Sequence, residues 1–169
     1  MDDSNVLPVV DPVIRRAAAG DTDAVGRLWE KLVAYHRSLD ERLPEAANNG
    51  GDLYARRIMD RINDTHTGIF VAEVDGEIVG FVLGLIVDLV PEMFRQLTGG
   101  FLADIYVDDA FRRCGVGRQM VSALVEWFEA RGVQYMEWYV ASENAVGRAF
   151  WENVGGRAIM VRMRLNLSS

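Results

Sequence analysis

The residues best suited to chemistry are Arg112, Arg113, Cys114, Gly115, Val116 and Gly117. They follow a strand-like run, Phe101 to Val107, and open a helix-like run, Val116 to Arg131. Glycine lets backbone come close to a ligand, and the first turn of a helix aims unpaired N–H groups outward. A helix start also carries partial positive charge, so the segment reads as a cradle for a phosphate or pyrophosphate. Arg112 and Arg113 add full charges at its mouth. The dinucleotide fingerprint needs a third glycine, whereas this run continues Gly117, Arg118, Gln119, Met120. The triphosphate loop needs Lys followed by Ser or Thr, and neither is present.

The spacing Arg112-x-x-Gly115-x-Gly117 resembles the coenzyme A pyrophosphate loop of the GCN5-related N-acetyltransferase (GNAT) superfamily. The preceding run, Phe101 to Asp108, is similar to that family's central strand and the turn after it. A second block, Asn144-x-x-x-x-Ala149-Phe150-Trp151-x-x-x-Gly155, is similar to its Asn-to-Leu-Tyr-to-Gly segment. The resemblance is strong from about Phe101 to Gly155. It implies acetyl-CoA as co-substrate and no metal. It assigns the pyrophosphate to Arg112 and to backbone N–H groups of Arg113, Cys114, Gly115, Val116, Gly117 and Arg118. It assigns the pantetheine arm to the backbone of Ile105, Tyr106 and Val107, an open strand edge that can take two amides as an added strand takes them. Asn144 would begin the last cofactor-facing helix, with Trp151 packing on the cofactor.

Candidates for proton transfer are fewer. Asp104 interrupts an apolar strand, where a charge is expensive without a role or a partner. It could anchor an ammonium group or accept a proton through water; a carboxylate paired to arginine or backbone is the plainer alternative. Glu73, at the end of an earlier strand, is a second candidate base, and Glu137 a third. Trp151 stands where the family usually has a tyrosine thought to protonate the leaving thiolate. Indole N–H donates a hydrogen bond but is no acid. Against a thiol pKa of ~8.5, an alkylammonium at ~10.4 is the harder problem, since freeing the amine at pH 7 costs roughly 4.6 kcal/mol. Tyr106, Tyr139 or a water are alternative acids. Cys114 reads as loop filler, because His36 and His66 are far away in sequence, and no Cys/His spacing suggests zinc.

These residues need a scaffold. Val13 to Arg16 is a short strand. Asp21 suits a helix N-cap, and Val25, Leu28, Trp29, Leu32 and His36 recur at helical spacing to about Leu39. Asn48-Asn49-Gly50-Gly51 marks a loop before a second helix with Tyr54, Ala55, Ile58, Met59 and Ile62. Gly68 to Val74 and Glu77 to Asp88 form a hairpin about Asp75-Gly76. Phe101 to Val107, the helix from Val116, a strand from Gln134 to Val140, a short helix from Asn144 and a final strand from Ala158 to Leu167 complete the chain. The order is β-α-α-β-β-β-α-β-α-β, an α/β domain with a mostly antiparallel first half. The resemblance implies one acetyltransferase domain over 1–169 (core about 12–167), with a mixed, twisted sheet flanked by helices.

Bulk properties agree with that scaffold. A chain of 169 residues, half of them hydrophobic, is expected to form a single globular domain. A net charge of −7 argues against a nucleic-acid partner and permits a small cationic amine as acceptor. No apolar run is long enough to cross a bilayer, no signal peptide is visible, and a lone cysteine suits the cytoplasm. The expectation is therefore a cytoplasmic N-acetyltransferase moving acetyl from coenzyme A to the primary amine of a small acceptor by direct attack. The family often forms dimers, which leaves a homodimer open. The alternative, motivated by Trp151, is an acyl-CoA sensor without turnover.

Overall fold

Asp75 and Gly76 join two neighbouring strands by a tight turn because both take positive φ, 51° and 82°. That geometry matches the twist of the strands it connects. The computed structural model describes residues 11–88 and 90–167, and the chain divides into two compact units after Tyr139.

The first unit runs β1 (Val13–Arg16), α1 (Thr22–Leu39), α2 (Gly50–Arg61), β2 (Thr67–Val74), β3 (Glu77–Val87), β4 (Gly99–Val107), α3 (Val116–Glu129) and β5 (Tyr135–Glu137). The strands form one sheet in chain order. The first four are antiparallel neighbours, and β5 lies parallel to β4. A three-way ion cluster fastens the outer strand: the Arg15 guanidinium donates to Asp21 at 2.7 Å and to Glu73 at 2.7 Å.

Helices cover both faces of this sheet. Val25, Leu28 and Leu32 of α1 join Tyr54 and Ile58 of α2 over Ile69, Val71, Phe81, Leu83 and Tyr106. On the other face lies the stripe Val116, Met120, Leu124 and Phe128 of α3, all at most 3% exposed. Glycines clear a track for that helix. A methyl group at Gly84 would lie 2.6 Å from Leu124 Cδ1 and 2.9 Å from Phe128 Cζ, and one at Gly100 would lie 2.8 Å from Phe128 Cζ. Gly84→Ala should therefore destabilise the protein by about 1–3 kcal/mol through overpacking. Urea unfolding checks this; an unchanged midpoint would mean α3 is not seated against the sheet.

One irregularity in β4 decides where its side chains go. Leu83 pairs with Asp104 and Gly84 with Leu102, so Ala103 is an extra residue, a bulge. Strict alternation would put Asp104 on the same face as Leu102, beneath α3. The bulge moves it to the α1/α2 face, where Leu83 and Tyr106 also lie.

Three expectations change. Gly50 and Gly51 begin α2 rather than precede it. The reason is close helix approach: a methyl at Gly26 would lie 2.5 Å from the Gly51 carbonyl oxygen, and one at Gly51 would lie 2.6 Å from the Glu30 carboxylate. The Gln134–Val140 strand shortens to Tyr135–Glu137. The final strand is absent: residues 156–166 carry no regular secondary structure. Val161, Met163, Leu165 and Leu167 alternate as a strand would, but a strand exists only where a neighbour completes its ladder. Among its described residues the second unit has one regular element, α4 (Ala145–Asn153), followed by Gly155 at φ 96°.

Candidate active site

β4 is the axis of the site. Its one edge pairs with β3 along the whole strand, while β5 takes the other edge only at Gly99, Gly100 and Phe101. From Leu102 to Val107 no described strand pairs with that second edge. N–H and C=O groups of such an edge, Ile105 to Val107 included, are of the kind that pairs with an extended polar chain.

Downstream of this edge the chain enters the cradle. Arg113 takes φ 63° and Gly115 φ 83°, with Gly115 at the N-cap of α3. A left-handed residue directly before helical ones turns successive N–H groups toward one concavity. No side chain caps the helix, and a methyl at Gly115 would meet no protein atom within 4 Å. The space before these donors is open, which fits a pyrophosphate held mainly by backbone. A non-glycine residue in left-handed geometry stores about 1–3 kcal/mol, and Arg113 is such a residue. Cys114 is half-buried; its thiol faces the Arg112 carbonyl at 3.5 Å. Val116 is buried under the loop, and Arg118 is exposed.

Arg112 is engaged by the protein itself. Its guanidinium lies over the rings of Tyr35 and Tyr106, at 5.0 and 5.1 Å. Nε donates to the Val107 carbonyl at 3.0 Å, and Nη2 pairs with Asp109 at 2.7 Å. This side chain ties the loop to β4 and α1.

Asp104 faces α1 and α2. Tyr54 donates its hydroxyl to Asp104 Oδ2 at 2.8 Å. Burial raises the Asp104 carboxyl above its usual range, against the Tyr54 hydrogen bond and the charges of Arg57 and His36, which pull it down. Burial, then the Asp104 charge, lifts Tyr54 well above an ordinary phenol, so it stays a donor. Burial lowers His36 in spite of Asp104, so its imidazole is neutral at pH 7. Tyr106, mainly through burial, is pushed up to about 12 and donates to Asp109 at 3.2 Å.

Glu73 is not brought to this group. It sits on β2, two strands from β4, and its carboxylate is held by Arg15. Glu137 lies on β5 opposite Phe101. In the second unit, Asn144 Oδ1 accepts from the Gly147 N–H at 2.8 Å, an N-cap. Trp151 is 8% exposed, with the Phe150 ring edge-on at 5.0 Å.

Sequence reasoning missed Tyr54, Arg57 and His36 as partners of Asp104. Tyr54 and His36 sit on apolar helical stripes and read as core. The available signal was polarity: a tyrosine hydroxyl carried into a core needs an acceptor, and Asp104 interrupts an apolar strand. Among the described residues no acid, His or Cys cluster could hold a metal ion. No described helix is long and apolar enough to cross a membrane.

Known proteins share this architecture. The BH1408 protein of Bacillus halodurans, solved as a mutant, superposes with TM-score 0.83 at 22% identity, over 92% of this chain and 99% of that one. A predicted acetyltransferase of Clostridium acetobutylicum, solved with acetyl-CoA, superposes with TM-score 0.74 at 14% identity, over 93% and 97% of the two chains. In sequence, the uncharacterized N-acetyltransferase MJ1207 of Methanocaldococcus jannaschii is 29% identical over 102 residues. That match spans 60% of this chain and 43% of the relative's length, so this chain covers less than half of it. The profile of the acetyltransferase (GNAT) family matches residues 28–155, which include the open strand, the cradle and the Asn144–Trp151 helix, and the chain belongs to that family.

Proposed function

We propose that the chain is an acetyl-CoA-dependent N-acetyltransferase that moves an acetyl group to the primary amine of a small acceptor by direct attack on the thioester. The observation that carries this reading is the pairing of β4: from Leu102 to Val107, a stretch that carries the half-buried Asp104 and leads to the uncapped first turn of α3, no described strand pairs with one edge. Acetyl-CoA, when bound, supplies the acetyl group as an activated thioester.

The chain's own residues divide the remaining work. Backbone N–H groups from Arg113 to Arg118 bind the pyrophosphate, and the edge of Ile105 to Val107 binds the amide-bearing arm. An N–H on the same strand receives the oxyanion that develops during attack. Asp104 holds the acceptor ammonium and takes its proton, directly or through water. Burial makes Asp104 a stronger base than an ordinary carboxylate, which narrows its gap to the amine. A thiolate whose conjugate acid has a pKa of ~8.5 can leave as the anion and then take up, through solvent, the proton that the ammonium gave up, so Trp151 does not bar turnover.

Thermal denaturation with coenzyme A and acetyl-CoA, followed by thiol release across an amine panel, tests the reading. At ~100 times its dissociation constant a ligand of the folded state adds ~2.7 kcal/mol, and the midpoint should rise by about 5–10 °C. Neither a shift nor thiol release with any amine would sink the proposal.

A further inference from the structure

The exposed flank of α2 concentrates positive charge on the helix that also carries Tyr54, the hydrogen-bond donor to Asp104. Arg56, Arg57 and Arg61, with Leu53 and Asp60, line an open groove of about 480 Å³. Three arginines and one aspartate give this flank a charge of +2, in a chain whose net charge is −7. Arg57 and Arg61 follow Tyr54 by three and seven residues, which puts them on the stripe adjoining it. Tyr54 is the residue that donates to Asp104, and the Arg57 charge acts on both. Among the described residues none of the three guanidinium groups makes an ion pair within 4.0 Å. Arginine side chains with no acid within ion-pair distance, on an acidic protein, are suited to a ligand oxyanion, which they bind in a fork.

We propose that the acceptor amine also carries an oxyanion, a carboxylate or a phosphate, and that Arg56, Arg57 and Arg61 hold it while Asp104 holds the ammonium. The proposal rests on the acetyltransferase reading above and adds the substrate class. A zwitterionic acceptor reconciles an acidic anchor with a basic rim, and neither feature alone would select it.

Matched acceptors test this: 4-aminobutyrate against butylamine, and O-phosphoethanolamine against ethanolamine, by thiol release. The oxyanion-bearing member of at least one pair should have the higher kcat/KM, by tenfold or more. In R56Q/R61Q that ratio should collapse toward one through a raised KM, with kcat largely retained. Raised ionic strength should narrow it in the wild type. Ratios at or below one in both pairs would overturn the proposal. A variant that raises the KM for acetyl-CoA and leaves the ratio intact would assign the arginines to the phosphates of coenzyme A, and would overturn it as well. If coenzyme A binds but no amine reacts, calorimetric titration of 4-aminobutyrate and O-phosphoethanolamine into the coenzyme A complex decides. Binding that is lost in R56Q/R61Q supports the arginine site, and no binding rejects it. Failure of the acetyltransferase reading shows separately, as absence of any coenzyme A shift, and the same titration then reads the arginine groove on the protein alone.

Discussion

Asp104→Asn should lower kcat/KM by about 10²- to 10⁴-fold, the range for losing a positioned general base, while making the folded protein more stable at neutral pH. The two effects share one cause. The carboxylate is half-buried on the α1/α2 face, where the Tyr54 donor and the Arg57 charge offset its desolvation only in part. Asparagine keeps an oxygen for the Tyr54 hydroxyl and removes the buried charge. The sign with pH follows from the direction of the shift. A carboxyl raised in the folded state binds its proton more tightly there than in the unfolded chain. Its ionised form therefore subtracts stability, beginning as pH rises through the ordinary carboxylate value of 3.8 and reaching its full extent above the raised folded value. Wild type and variant should converge below about pH 4 and separate above it, with the variant melting higher. Melting curves from pH 3 to 8 check this, and a variant that melts lower at pH 7 would show the carboxylate to be a net structural asset. The kinetic split then separates two roles. Loss in kcat assigns proton transfer to Asp104, and loss confined to acceptor KM assigns anchoring.

Gly115→Val should raise the KM for acetyl-CoA at least tenfold with a modest loss of stability. Gly115 holds φ 83°, a conformation that costs an L-residue about 1–2 kcal/mol and a β-branched one more. At about 2–4 °C per kcal/mol the melting point should fall by a few degrees. The new side chain would meet no protein atom within 4 Å at its Cβ, so the packing beneath the loop is undisturbed. What it enters is the space in front of the α3 N–H groups. Gly115→Ala should lie between, sharing the backbone strain but filling less of that space. An unchanged acetyl-CoA KM in the valine variant would place the pyrophosphate elsewhere.

Much of this architecture was legible because local chemistry and tertiary need coincide in it. Asp75-Gly76 can hardly do anything but turn a hairpin, and the turn is there. The stripe from Val116 to Phe128 has one apolar face, and the sheet needed one helix on that side. The cradle was legible for the same reason: left-handed geometry at Gly115 and a helix start at Val116 are both encoded within a few residues. Partnerships across the fold were not. That Tyr54 serves Asp104 depends on a bulge at Ala103, and no residue type marks a bulge in an alternating strand. That the Arg112 guanidinium lies over Tyr35, from a helix 77 residues earlier in the sequence, could not be read from the loop. Gly50 and Gly51 read as loop because glycine weakens helices, while their task is to let α1 and α2 touch. The Ala158–Leu167 segment misled in the opposite sense, since alternation without a ladder partner is only a pattern.

The incomplete pairing of β4 carries a further consequence, for solubility. An unpaired run of backbone donors and acceptors is a template on which a second chain can build, and natural sheets blunt such edges with bulges and inward charges. β4 has both at one point, Ala103 and Asp104, midway along its free stretch. The bulge that aims the carboxylate also interrupts the flat surface that aggregation requires. Straightening β4, by deleting Ala103, would therefore endanger the protein in concentrated solution, and on the proposed binding mode coenzyme A in the storage buffer would protect it by covering the same edge.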